Sequence, residues 1–167
     1  PAGDKATGYK ALAFHAVNSD FPIFDDIQKY VVDRGKAAGA GDQIGTVLYN
    51  RGMYNAMLIT EAARTAQAIA GKSNISQADM IKGFEALEMT EEKMAALGLP
   101  GFGPSFSVSC ENHGGDGMVA VAQWDAGAGK WSIVSDFQAS DMSVIQPLID
   151  ADSGAFASEN NLSPNCN

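Results

Sequence analysis

The sequence predicts an α/β protein with helices packed on a sheet and a C-terminal β-hairpin. Three observations lead there. A short apolar run, Tyr9 to Phe14, precedes the helical part of the chain. The stretch Leu48 to Ala70 carries Leu48, Gly52, Ala56, Ile59, Ala63, Ala66 and Ala70 at three- and four-residue steps, the period of one helix face. The last third changes to short alternating runs, Ser105 to Cys110, Met118 to Trp124 and Lys130 to Val134, which read as strands.

Each element has a local reason. Residues 1–8 are a polar lead-in, and Tyr9 to Phe14 is a buried strand. Ser19 or Asp20 can cap a helix that has Pro22 in its first turn and runs to about Lys36. The glycine-alanine break 37–42 separates it from the long helix, which Gly71 to Asn74 ends. The side of that helix marked by the small residues is suited to close approach, and its start is polar and aromatic: Tyr49, Asn50, Arg51, Met53 and Tyr54. Ser76 caps a third helix, with Asp79 completing a capping box and Met80, Ile81, Phe84 and Leu87 as its apolar stripe. Thr90 caps a short fourth helix, where Glu91 and Glu92 favour the positive end of the dipole. Asp125 to Gly129 turns the hairpin, because glycine adopts positive φ at little cost. Asp141 to Ile149 is a helix, followed by one more helical turn and Pro164.

Composition narrows the function classes. With 46% hydrophobic and 19% charged residues in 167, the chain is long enough to bury a core. A net charge of -9 and scattered Lys and Arg argue against nucleic acid and against anionic membrane surfaces. No apolar run approaches the roughly 20 residues of a membrane span. The chain begins at Pro1 without a signal peptide, so a processed protein or a piece of a longer one is expected. Cys110 and Cys166 form no metal motif. They are either two unrelated thiols or a disulfide tying the tail to the body. We take the disulfide, worth roughly 4 kcal/mol by chain entropy, with an oxidising compartment implied.

Motifs for chemistry are largely lacking. Gly127 to Trp131 superficially matches a phosphate loop, but Trp131 stands where Ser or Thr is required. His15 and His113 are too far apart for a ligand spacing, and His113 lies in a glycine-rich turn that gives it a structural role. No metal site is expected. The pairs Asp25–Asp26 and Glu91–Glu92 are helix neighbours that do not face each other. Nothing assembles a nucleophile, a base and an orienting group, which favours binding over catalysis.

Three stretches carry a resemblance: FHAVNSDFPIFDDIQKYV, YNRGMYNAMLITEAARTAQ and VAVAQWDAGAGKWSIV. In this order they resemble the C-terminal part of periplasmic solute-binding proteins of the branched-chain amino acid type, and the ending ENNLSPNC is similar to members that close with a cysteine. The resemblance implies part of a Rossmann-like lobe. It would place 1–19 as a strand of the C-terminal lobe plus a hinge crossing, 20–136 as the second half of the N-terminal lobe and 137–167 as a returning tail. It implies an extracytoplasmic component of an ABC importer that binds an amino acid, or an aromatic or aliphatic carboxylate, in an inter-lobe cleft without any cofactor. A ligand-sensing domain of the same fold and a small α/β enzyme are the alternatives. The implied partners are ABC permease subunits and the missing remainder of the protein, or a second copy covering the apolar surface a half-lobe leaves bare. Phe14 and His15 at a strand end, and Tyr49, Asn50 and Arg51 at the helix entrance, would then face the ligand. Packing at the hinge is the plainer role for each.

Overall fold

The computed structural model describes residues 3–39, 41–163 and 166. Pro1 and Ala2 of the lead-in, Ala40 of the glycine-alanine break and Pro164 lie outside the described residues. The chain is α/β, with two small antiparallel sheets. Strand β1 (Lys10–Ala13) pairs with β4 (Ala120–Asp125), which pairs with β5 (Lys130–Ile133). The register sets Ala13 opposite Ala120 and Trp124 opposite Trp131. β4 and β5 form the expected hairpin, closed by the turn at 126–129. A second sheet joins β2 (Glu88–Met89) to β3 (Phe106–Ser107), so little of the expected 105–110 strand pairs.

Local signals set most helix limits. Helix α2 (Val47–Ala70) starts at Thr46, whose side chain accepts the Tyr49 amide, and stops at Gly71 with φ 64°. Helix α3 (Gln77–Glu85) has the reciprocal Ser76–Asp79 capping box. Helix α4 (Glu91–Ala96) is capped by Thr90. Helix α1 departs from expectation. It spans Pro22–Ile27 and continues as a π-helical turn over Gln28–Val32, and its cap position is Phe21, not Ser19 or Asp20. Pro22 fixes the first turn there without a side-chain cap. The last helix, α5 (Met142–Glu159), is longer than predicted and absorbs the separate turn. Ala151, Ala155 and Ala157 carry it through Gly154, which alone costs about 1 kcal/mol in an exposed helix.

The core lies between α1, α2, α4 and the loop after α4. Met89, Met94, Leu99 and Phe102 are fully buried there, with Phe24, Tyr54 and Met57 around them. Helices α2 and α3 touch through Gly83. A Cβ at that position would stand 2.2 Å from the Ala62 carbonyl oxygen and 2.7 Å from the Ala66 Cβ, so only glycine fits. Buried Glu61 is compensated by Arg64 at 2.7 Å and Lys93 at 3.6 Å.

The inward face of α2 is not the predicted one. It consists of Asn50, Tyr54, Met57, Glu61, Ala62 and Ala66. Of the predicted small face only Ala66 is buried, while Leu48, Gly52, Ala56 and Ile59 are exposed. Helix α5 has no buried residue, although Met142, Val144, Ile145, Leu148, Ile149 and Phe156 are large and apolar. The whole chain exposes 10902 Å², against about 7,900 Å² for a compact monomer of its mass, a surplus of about 3,000 Å².

Candidate functional site

Strand β1 delivers the chain into a turn, 14–20, that packs against the start of α2. His15 is buried and lies flat on Phe102, rings 5.3 Å apart and 7° from parallel. Its Nδ1 donates to the Ala16 carbonyl at 2.7 Å, leaving Nε2 as an acceptor without a partner among the described residues. Burial lowers the His15 pKa, and nearby Arg51 lowers it further, so the ring is held neutral. Asn50 is fully buried and donates to the carbonyls of Ala16 at 3.2 Å and Asn18 at 2.8 Å, which fixes the turn to α2. Its Oδ1 is the other buried polar atom without a partner among the described residues.

Phe14 and Arg51 come together on the surface beside them, the guanidinium 4.8 Å from the ring centroid. Tyr49 is not with them. It packs against the core beside Phe24, because one residue along a helix turns a side chain by about 100°. The structure thus gathers Phe14, His15, Asn50 and Arg51 around one turn and leaves Tyr49 apart. Trp124 and Trp131 pack on each other across the hairpin, rings 5.5 Å apart.

A concavity opens beside that turn. It holds about 570 Å³ and is walled by Phe14, Tyr54, Leu58, Ile81, Phe84, Phe106 and Met118, with the 113–117 loop across one side. Burial pushes the Tyr54 hydroxyl up to about 12, so it stays protonated at neutral pH. Ile81 and Phe84, expected as an apolar stripe of α3, face this concavity half-exposed. At its margin His113 Nε2 stands 3.5 Å from Glu85 Oε1.

Cys110 is joined to Cys166 in a disulfide, with Cα atoms 5.4 Å apart. The bridge ties the residues after α5 back to the loop beside the concavity. Glu85, Cys110 and His113 bring ligand atoms within 4.8 Å of one another. No spacing in the sequence announces that group. Glu85 ends α3 and the other two sit in the loop after β3, and the β2–β3 pairing brings them together.

No protein-family model and no curated protein matches the chain. All of it superposes, with a TM-score of 0.91 and 36% sequence identity, on 40% of a solved structure described as an ABC transporter permease from the Pseudomonas fluorescens group. The chain therefore spans less than half the length of that protein. The likeness supports an ABC-transporter and transport context. It overturns the expectation of a substrate-binding component of an importer, since the protein matched is described as a permease. The reason is physical: the stretches that suggested a binding protein encode a helix start, a helix face and a hairpin, which record a fold, and fold does not fix function. Among the described residues no helix is long and apolar enough to cross a membrane.

Proposed function

We propose that this chain is a water-facing part of a longer ABC-transporter component, whose remaining portion packs on α5 and on the exposed side of α2 around Gly52 and Ala56. The observation that carries this reading is the full-length superposition onto only 40% of a longer transporter protein at 36% identity. The surplus total surface of about 3,000 Å² agrees with it, and the large apolar residues exposed on α5 are part of that surface. So do Gly52 and Ala56 of α2, small residues that suit close helix packing and are exposed. The disulfide favours the extracytoplasmic side, where such bonds persist. The module couples and packs; we assign it no catalytic step.

The test is ATP hydrolysis by the assembled transporter in vesicles, using the full-length protein that carries this stretch with an ABC ATPase subunit encoded beside it. Hydrolysis is expected to depend on this protein and to fall at least tenfold when Leu148→Asp and Ile149→Asp make α5 polar. Hydrolysis indifferent to the protein would overturn the reading.

A further inference from the structure

We propose that Glu85, Cys110, His113 and Cys166 form a zinc site when the disulfide is reduced, so that the tail can be clamped either by a covalent bond or by a metal. Three of the donors, the Glu85 carboxylate, the Cys110 sulfur and a His113 ring nitrogen, already lie within 4.8 Å of one another. The fourth, the Cys166 sulfur, is bonded to the Cys110 sulfur and so stands at the same place. Two thiolates, an imidazole and a carboxylate are a donor set zinc accepts, and tetrahedral bonding would set the donors about 3.3–3.8 Å from each other. The Glu85, Cys110 and His113 atoms, now within 4.8 Å, would close by about 1 Å, while the two sulfurs, bonded in the disulfide, would move apart once that bond is reduced. The closing falls on the His113 ring, which is 68% exposed, and the separation on Cys166, which is exposed.

The surrounding loop favours this set over other acids nearby. Glu111 is held by the Ser109 hydroxyl at 3.0 Å. The same hydroxyl accepts the Asn112 amide, and the Asn112 side chain donates to the Gly115 carbonyl, so the turn that presents His113 is fixed at both ends. Glu85 is presented from the C-terminal end of α3. His113 already faces that carboxylate at 3.5 Å, as a metal-ligating histidine faces a neighbouring donor.

The steps balance. A dithiol donates two electrons and two protons to the Cys110–Cys166 bond and becomes a cyclic disulfide, leaving two thiols. Zinc then displaces both thiol protons to solvent and binds two thiolates, neutral His113 and the Glu85 carboxylate. Where thiols are kept reduced the metal holds the tail; where they are oxidised the disulfide does.

The experiment titrates cobalt(II), as a visible stand-in for zinc, into the 167-residue chain after phosphine reduction and removal of the phosphine under argon. The expected result is one cobalt per chain, with thiolate-to-cobalt charge-transfer absorption and tetrahedral d–d bands, displaced by one equivalent of zinc. The oxidised chain should show neither. His113→Ala and Glu85→Gln should each weaken zinc at least tenfold, and Cys166→Ser should remove part of the charge-transfer band. Circular dichroism checks that each variant is folded. Equal binding by the oxidised chain, no tetrahedral spectrum on reduction, or unchanged affinity in folded His113→Ala would overturn the proposal.

Discussion

The body around Phe102 and the helix α5 are built from similar residues and meet opposite fates. In the body, Met89, Met94, Leu99 and Phe102 lose all contact with solvent. In α5, Leu148 and Phe156 are each more than 60% exposed, and no residue of the helix is buried. The difference lies in what each segment meets. Residues 87–102 fold back on α1 and α2 within the same chain, whereas α5 is tied back through the Cys110–Cys166 bridge with its apolar side free. An apolar helix face is a demand for a partner, and this chain supplies one to the body alone.

The sharpest way to break the comparison is to truncate one phenylalanine in each region. Phe102→Ala should cost about 4 kcal/mol, since a fully buried ring in contact with His15, Tyr54 and Phe21 leaves a cavity. Phe156→Ala should leave the stability of the isolated chain within about 0.5 kcal/mol of the parent. Urea titrations of both variants check this. A large loss at Phe156 would mean that α5 is packed in solution.

The glycines give a second contrast, with a smaller effect. Gly83→Val should cost about 3 kcal/mol, because its side chain has to push the Ala62 carbonyl and Ala66 away and part α2 from α3. Thermal unfolding followed by circular dichroism measures it; an unchanged melting temperature would show that the helices are not in contact.

Much of the body could be read from sequence, and these experiments probe the part that could not. The caps at Ser76 and Thr90, the stop at Gly71 and the hairpin are local events, decided by a few neighbouring residues. The direction α2 faces is not local. Its small residues mark a face fit for close packing, but the partner that buries the helix here is the Phe102 body, which takes Tyr54 and Met57 instead. That Phe14, His15, Asn50 and Arg51 meet at one turn could be read because a strand end and a helix start converge there. Glu85, Cys110 and His113 could not, because a two-residue sheet brings them together without any periodicity.

Two buried ionisable groups of the body, His15 and Tyr54, make its stability depend on pH. His15 has its pKa lowered by burial, so its folded form resists protonation. Its stabilising share is complete above the ordinary histidine value of about 6.5 and fades as pH falls through its lowered folded value. Tyr54 behaves in reverse. Its folded pKa is about 12, so stability holds below the ordinary value of 10.0 and is lost as pH rises toward 12. Denaturation midpoints measured from pH 4 to 11 should decline at both ends. Tyr54→Phe should flatten the alkaline limb and leave the acid limb; an unchanged alkaline limb would remove Tyr54 as its cause.

The smallest expected effect is a gain. Gly154 sits in α5 with open space, nothing within 4 Å, where an alanine Cβ would stand. Gly154→Ala should therefore raise the helicity of α5 and stabilise it by about 0.5–1 kcal/mol. Helical circular dichroism reads it, and a loss of signal would indicate a close neighbour at that face.

The most direct measurement is the mass and dye binding of the 167-residue chain alone, by light scattering and by fluorescence of an apolar dye, over a range of concentrations. Our account predicts dye binding and concentration-dependent association, both suppressed by Leu148→Asp with Ile149→Asp. A dye-free monomer at all concentrations, with the same properties in that variant, would contradict the claim that this surface awaits the rest of a longer protein.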